Sequence, residues 1–368
     1  MLRFLHAADL HLCSPLAAFS ADRAAERRNR QFDALERLFS TAVEKGAQMI
    51  LLAGDVFDTP CPDENGAARF FAICDALPVP VVVSPGNHDR YCEGGVWQRE
   101  AGRHNVYAFD RESLGCFDFP ALGAAIYGYA FCAESMGAPY LGSASELRAD
   151  RTSVLLAHAD LQSPLSAYAP ISSGQLERAG FAYAALGHIH RAPAPLRCGA
   201  TVAAYSGFFA GRGFDEVGCG GALLVEIEEG HVSLQRLGSE ADRFEVVELC
   251  CDGDQNNEDI YTRLRGCLQN AAFSPYTALR VRLTGSVGLS CYVDTARLLS
   301  LGRELALFEL RDETLPIHDG AYLEKDPTLK GAFYRALLPR LNGADAEERA
   351  LAAEALRLGL AALSGREV

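Results

Sequence analysis

A chain of 368 residues, 49% of them hydrophobic, can bury a substantial core, and at roughly 150 residues per domain it predicts about two domains. Its 34 Lys and Arg stand against 48 Asp and Glu, a formal net charge of −14. That excludes a whole-molecule field drawing it to nucleic acid or an anionic membrane, and any such binding has to be local. Twelve cysteines, scattered singly apart from Cys250 and Cys251 and never as Cys-x-x-Cys, read as mostly buried thiols of a reducing cytosol.

Met1 leads directly into LRFLHAADLH, which lacks the basic and long apolar regions of a leader, and no apolar run approaches the ~20 residues that span a bilayer. A soluble, cytoplasmic protein is expected. In chain order, apolar runs at residues 2–7, 49–53, 79–83, 154–157 and 183–186 read as strands ending abruptly in loops of Gly, Asp, Asn and His. Between the first two, Phe32, Leu35, Phe39, Ala42 and Val43 share one helical face, with Gly46 as C-cap. A second helix over 63–77 stops at Pro78. Alternating strands and helices predict an α/β layer fold with its site in the loops at the C-terminal strand ends.

After residue 200 come strand-like pieces at 202–206, 222–227 and 231–237 without helices between them, expected to form a second sheet completing a sandwich. A boundary at 239–243 precedes strand 244–250, helix 258–271, strand 278–284 and helix 293–306, a small separate α/β unit. Two terminal helices follow. The first carries Leu329, Phe333, Leu337 and Leu341 at steps of four, and the second opens with Asp345 and Glu348 placed as a capping box. Packing on their own domain is the default, and docking to a partner the alternative. The expected divisions are 1–240, 241–325 and 326–368.

Five polar clusters end the apolar runs: Asp9-Leu10-His11, Gly54-Asp55-Val56-Phe57-Asp58, Gly86-Asn87-His88-Asp89, His158, and Gly187-His188-Ile189-His190. One alone would be turn chemistry, but five in this order are not. Carboxylate, amide and imidazole without thiolates suit Mn, Fe, Zn or Ni rather than Ca, Mg or a structural zinc. In Asp9/His11 and His188/His190, residues two apart point to one side if extended.

The series D-x-H, G-D-x-x-D, G-N-H-D, H and G-H-x-H resembles the calcineurin-like metallophosphoesterases. Through HAADLHL, GDVFD, GNHD, ALGHIHR and YSGFFAGRGFDEVG it is most similar to their SbcD-type DNA repair nucleases and YhaO-type bacterial relatives, over residues 1–237. Cys13 stands where relatives often have Gly or Asp, and Phe208-Phe209 replaces their Ser-Pro. The resemblance implies a four-layer α/β/β/α sandwich with a small C-terminal α/β cap. It implies two divalent transition metals, Mn²⁺ first, with Fe, Zn or Ni as alternatives. Asp9, His11 and His190 would hold one ion, Asn87, His158 and His188 the other, and Asp55 would bridge. His88 would contact the scissile phosphate as cation or general acid, oriented by Asp58. The implied reaction is hydrolysis of a DNA phosphodiester, by exonuclease or endonuclease action in repair, with an SMC-like coiled-coil ATPase as partner and a homodimer as a further possibility. A phosphodiesterase or phosphatase acting on nucleotides or other small esters is the runner-up. A non-catalytic binding module ranks last, since no ligand is missing.

Other residues stay open on the sequence. Asp89 is either a structural hydrogen-bonder or part of the site. His6 reads as a satisfied core histidine, and His104, His231 and His318 as ordinary. Cys13 reads as packing ahead of redox gating. Arg23, Arg27, Arg28 and Arg30 form a solvated helix face paired with Asp22, Glu26 and Asp33, or, with Arg191, a phosphate contact. Phe208, Phe209 and Phe214, interleaved with Arg212, either stack on bases or close the sandwich edge.

Overall fold

The computed structural model describes residues 1–254, 256–271, 273–287, 291, 293–316 and 320–363, so His318 lies outside the described residues. The chain divides into two compact units, Met1–Phe244 and Glu245–Val368. The first unit runs β1 (Leu2–Ala7), α1 (Ala21–Glu44), β2 (Ile50–Leu52), α2 (Glu64–Asp75), β3 (Val81–Val83), α3 (Val96–Arg99) and β4 (Val106–Ala108). It continues with β5 (Gly115–Phe119), β6 (Ala124–Gly128), β7 (Thr152–His158), α4 (Ser173–Ala179) and β8 (Tyr183–Gly187). The last strands are β9 (Leu196–Cys198), β10 (Thr201–Tyr205), β11 (Gly221–Glu228) and β12 (His231–Gly238).

Two six-stranded sheets result, ordered β12-β11-β1-β2-β3-β4 and β5-β6-β7-β8-β10-β9. The central strands are parallel and buried on both faces, which is why they read as unbroken Ile50-Leu51-Leu52 and Val81-Val82-Val83. One face of the first sheet, through Leu5, Ile50, Leu52 and Val83, packs on Leu35 and Phe39 of α1 and on Phe70 and Phe71 of α2. Its other face, through Phe4, Leu51 and Val82, meets Ile126, Val154, Tyr183 and Val202 of the second sheet. The far side of that sheet, through Leu155 and Leu186, packs on Leu176 and Ala179 of α4. Each such Leu, Val or Phe contributes about 1.5–3 kcal/mol by leaving water. Gly46, at φ 85°, ends α1 as expected, its N–H donating to Val43 O at 2.8 Å. Asp63 caps α2 by accepting from Gly66 N at 2.8 Å.

The pieces after residue 200 do not make a sheet of their own. β10 lies between β8 and β9 in the second sheet, while β11 and β12 extend the first, with Leu2 opposite Ile227 and His6 opposite Leu223. The reason lies in burial: β11 is apolar on both faces over most of its length and needs a neighbour on each side, which β1 and β12 supply. Strands β4, β5, β6 and β9 and helix α4 were not legible in the hydrophobic pattern. The cysteine expectation is also corrected: Cys74, Cys198, Cys251 and Cys291 are buried, but Cys61, Cys116, Cys132, Cys219 and Cys250 are exposed, because they fall on loops and strand ends. All twelve are free thiols.

The second unit runs β13 (Phe244–Cys250), α5 (Asn257–Ala271), β14 (Ala278–Thr284), β15 (Ser286–Val287), α6 (Thr295–Leu299) and β16 (Leu307–Asp312). After β17 (Leu315–Pro316) come α7 (Gly320–Lys325), α8 (Leu329–Leu341) and α9 (Ala346–Ala362). A three-stranded sheet β13-β14-β16 buries Leu279, Val281 and Leu283 against Ile260 and Leu264 of α5. The helix expected over 293–306 is shorter, with a 3₁₀ turn at Ser300–Gly302 where Gly302 packs against the Phe308 ring. Asp345 accepts from Glu347 N at 2.9 Å at the start of α9. No helix among the described residues is long and apolar enough to cross a membrane.

Candidate metal centre

The five polar clusters converge in the first unit, at the C-terminal ends of β1, β2, β3, β7 and β8. Asp9, His11, Asp55 and His188 all adopt positive φ, at 51°, 43°, 52° and 99°, a conformation that costs side-chain-bearing residues energy and persists only when the surroundings impose it. Here the first two loops are laced together: Asp9 N donates to Gly54 O at 3.1 Å, and His11 N to Asp55 O at 2.9 Å. Close approach also needs glycine. A Cβ on Gly54 would lie 2.4 Å from His158 Nδ1, and one on Gly86 2.2 Å from Asp55 Oδ1.

Asp89 is fully buried and accepts four backbone N–H bonds, from Gly86 at 2.8 Å, Asp55 at 3.2 Å, Val56 at 2.9 Å and Phe57 at 3.3 Å. Its carboxylate pins the second loop to the third, which decides for the structural reading. Burial, with the nearby Asp55 charge, pushes its pKa up to about 7.

The hydrogen bonds determine where each imidazole turns its lone pair. His11 Nδ1 lies 3.0 Å from Asp58 Oδ1, and His190 Nδ1 lies 2.6 Å from Glu216 Oε1. Burial works against ionisation of Glu216, yet His190 and Arg212 hold it down to about 2. Burial opposes ionisation of Asp58 too, and His11, Arg212 and His88 outweigh it, keeping that carboxyl below its usual range. Ionised carboxylates only accept, so both Nδ1 atoms donate, and each Nε2 carries a lone pair when its ring is neutral. Burial opposes protonation of His190, but Glu216 and Asp9 outweigh it and its pKa rises. The two Nε2 atoms face each other at 3.3 Å, with Asp9 Oδ1 3.8 Å from His190 Nε2. His158 Nδ1 donates to Ala53 O at 3.0 Å, and its Nε2 lies 3.0 Å from Asn87 Oδ1 and 3.5 Å from Asp55 Oδ2.

With both rings neutral, buried lone pairs aimed at one another repel, and the same arrangement binds around a cation. The residues therefore fit divalent metal. Asp9, His11 and His190 form one group whose ligand atoms lie within 4.8 Å of one another, Asp9, Asp55 and His158 a second, and His11, Asp58 and His88 a third. Asn87 joins the second through its amide oxygen. His188 belongs to none of these groups: its ring centroid is 5.1 Å from that of His158 and 4.7 Å from that of Tyr168, while its backbone N–H donates to the Asp9 carboxylate at 3.1 and 3.2 Å. Burial, then the neighbouring His158, pushes the His188 pKa down to about 4, leaving it neutral at pH 7. Burial raises Asp9, and the adjacent Asp55 charge adds to it. For Asp55, burial is outweighed by His158, His11, His88 and the His88 N–H bond at 3.0 Å, and its pKa falls.

His88 stands at the rim, its side chain 42% exposed, with the His11 ring edge-on at 4.8 Å. Its Nδ1 is 3.4 Å from the Asp58 carbonyl oxygen and 3.7 Å from Asp58 Oδ1. That Oδ1 instead accepts from His11 and, at 3.0 Å, from Arg212.

Two residues at the site escaped the sequence reading: Glu216, and Arg212 in its role as partner of Asp58 and Glu216. The available signal was an acidic residue following Arg-Gly-Phe-Asp in a segment too glycine-rich for a helix. Among the open residues, His6 is a satisfied core histidine, bonded to Tyr183 Oη at 2.9 Å and Leu186 O at 3.1 Å. Burial, then Asp63, pushes the Cys13 thiol up to about 12, which favours packing over reactivity. Arg27 and Arg30 reach across to Asp242, Arg30 through Nη2 to Oδ1 at 2.8 Å. Phe208 and Phe209 are buried, and Phe214 packs edge-on against Phe244 at 5.0 Å, so these rings close the fold's edge. His104 is not ordinary: it stacks on Phe71 and bonds Asp75 at 2.5 Å and Glu100 at 3.2 Å.

The calcineurin-like phosphoesterase family model matches residues 2–192. An uncharacterized metallophosphoesterase of Bacillus subtilis, YhaO, is 29% identical over 248 residues, 64% of this chain and 59% of that protein. The SbcD component of the nuclease SbcCD from the same organism is 26% identical over 264 residues, 61% of this chain and 66% of that one. The DNA double-strand break repair protein Mre11 of Saccharolobus solfataricus is 26% identical over 199 residues, 52% and 50% respectively. The aligned part of the chain spans less than two thirds of the length of each of these curated relatives.

Proposed function

The chain belongs to the calcineurin-like phosphoesterase family of metal-dependent hydrolases, and from that membership we propose that it is a two-metal phosphodiesterase acting on DNA. The observation carrying the reading is the convergence of imidazole nitrogens and carboxylate oxygens within 4.8 Å of one another in a largely buried cluster. Asp9, His11 and His190 would hold one ion, Asn87, His158 and His188 the other, and Asp55 would bridge them. Mn²⁺ is the proposed metal, with Fe, Zn or Ni as alternatives for the same donors. When bound, such ions act as Lewis acids on the phosphoryl oxygens and make water a nucleophile near neutral pH.

The chain's own residues do the rest. Asp58 and Glu216 hold His11 and His190 with their lone pairs turned inward. His88 reaches the scissile phosphate from the rim. As the bond from water oxygen to phosphorus forms and the bond to the leaving oxygen breaks, His88 gives its proton to that leaving oxygen, and the water proton passes to solvent. DNA is favoured as substrate because two relatives are named for a nuclease and for DNA double-strand break repair. An SMC-like coiled-coil ATPase is the proposed partner, and a homodimer the proposed assembly.

The net charge of −14 favours a second reading, hydrolysis of nucleotides or other small phosphate esters. Metal-stripped protein reloaded with Mn²⁺, Mg²⁺ or Zn²⁺ separates the two when offered single- and double-stranded linear DNA beside bis(p-nitrophenyl) phosphate. Metal-dependent DNA cleavage lost in Asp55→Ala supports the nuclease, cleavage of the small diester alone moves the substrate to the second reading, and hydrolysis of neither sinks both. A nuclease that neutralises several phosphates also binds DNA with a steep negative slope against log salt.

A further inference from the structure

Behind the proposed metal ligands, five side chains close a ring: His11 to Asp58, Asp58 to Arg212, Arg212 to Glu216, Glu216 to His190, and His190 back to His11. Asp58 Oδ1 accepts at 3.0 Å from both His11 Nδ1 and Arg212 Nη1. Glu216 Oε1 accepts from His190 Nδ1 at 2.6 Å and Arg212 Nη2 at 2.8 Å, and Glu216 Oε2 from the Arg212 backbone N–H at 2.9 Å. One guanidinium thus spans the two carboxylates that fix the tautomers of both imidazoles. The local chain is built for it: a Cβ on Gly211 would lie 2.4 Å from Glu216 O, and Glu216 N donates to Gly213 O at 3.1 Å, a tight turn that folds Arg212 back over Glu216.

We infer that Arg212 is a positioning residue that sets the separation of His11 and His190 by clamping Asp58 and Glu216 together. The inference rests on the metal-centre reading above. Without the clamp, two largely desolvated carboxylates on the same side of the site repel, and each carries its imidazole with it. The planar fork matters as much as the charge, since an ammonium is a point charge that cannot hold two carboxylates in one plane. Arg212 faces inward, with Nη1, Nη2 and Nε all engaged by Asp58 and Glu216, Nε lying 3.3 Å from Glu216 Oε1. It is therefore poorly placed to bind substrate.

The test is Mn²⁺ titration of the metal-stripped full chain by calorimetry, for wild type, Arg212→Met, Arg212→Lys and Glu216→Ala, with thermal unfolding of each as the folding control. Both Arg212 variants are expected to lose about 10–100-fold in Mn²⁺ affinity, the usual cost of removing an outer partner of a ligating histidine. At saturating Mn²⁺ their KM for bis(p-nitrophenyl) phosphate stays at the wild-type value and kcat recovers. Combining Arg212→Met with Glu216→Ala is expected to cost less than the product of the two single losses. Wild-type affinity in Arg212→Lys, with a raised KM, overturns the inference and makes Arg212 a substrate-binding residue. If Arg212→Met does not fold, the charge-conserving Lys variant decides alone. Failure of the wild type itself to bind Mn²⁺ sinks the metal-centre reading first, which keeps the two failures distinct.

Discussion

His6, inside β1, and His11, in the loop beyond it, are equally buried, at 0% and 1% exposure, yet they are opposite cases. Both ring nitrogens of His6 are satisfied within the fold, by the Tyr183 hydroxyl and the Leu186 carbonyl. His11 has one nitrogen bonded to Asp58 and the other facing His190 Nε2. Burial alone therefore does not mark a functional histidine. What marks it is the company of the second nitrogen, which faces another imidazole nitrogen at 3.3 Å and the Asp55 carboxylate at 3.7 Å in place of a backbone or hydroxyl partner.

Changes on the His11 side should act on metal and turnover, and changes on the His6 side on stability alone. The largest expected effect is Asp55→Ala, which removes a carboxylate shared by the second ligand group and is expected to abolish bound metal and hydrolysis together. Metal analysis beside a diester assay checks it, and full turnover with both ions retained would break the assignment. His88→Ala comes next: metal content unchanged, hydrolysis slower by roughly 10²–10⁴-fold. A much smaller defect would take His88 out of the reaction.

His6→Gln is the smallest. It is expected to leave metal affinity as in the wild type and to cost about 1–3 kcal/mol in urea unfolding at pH 7, through bonds left unmade around Tyr183 and Leu186. Metal loss in this variant would erase the contrast between the two histidines.

The same pair predicts a pH signature. Burial holds the His6 pKa down to about 3, against 6.5 for the free side chain. Between those values the unfolded chain binds a proton that the folded chain refuses, so stability falls as pH drops through this window, by roughly 1.4 kcal/mol per pH unit. Above pH 6.5 both states are neutral at this residue and the contribution is complete. Unfolding curves at pH 7, 6, 5 and 4 should converge for wild type and His6→Gln, because the variant lacks that loss. Parallel curves would mean that His6 takes up its proton without unfolding.

Much of the site was legible because its residues sit in short loops directly after strands, where chain order and spatial order coincide. Asp9, His11, Asp55, Asn87, His158 and His190 lie near one another within the first unit, and His6 is a satisfied core residue. The helix ended by Gly46 and the buried parallel strands were equally readable, since periodicity and capping are local. The short strands β4, β5, β6 and β9 were not, because three to five residues carry too little pattern to stand out.

The sequence by itself determined which donor types gather and in what order, because strand, turn and ligand follow one another along the chain. Only the tertiary structure decided how they are held. Asp58 is spent on His11 and Arg212, and an unforeseen Glu216 fixes His190. Likewise β10 joins one sheet while β11 and β12 join the other. Each of these is a pairing between segments far apart in sequence, which local periodicity and capping do not specify.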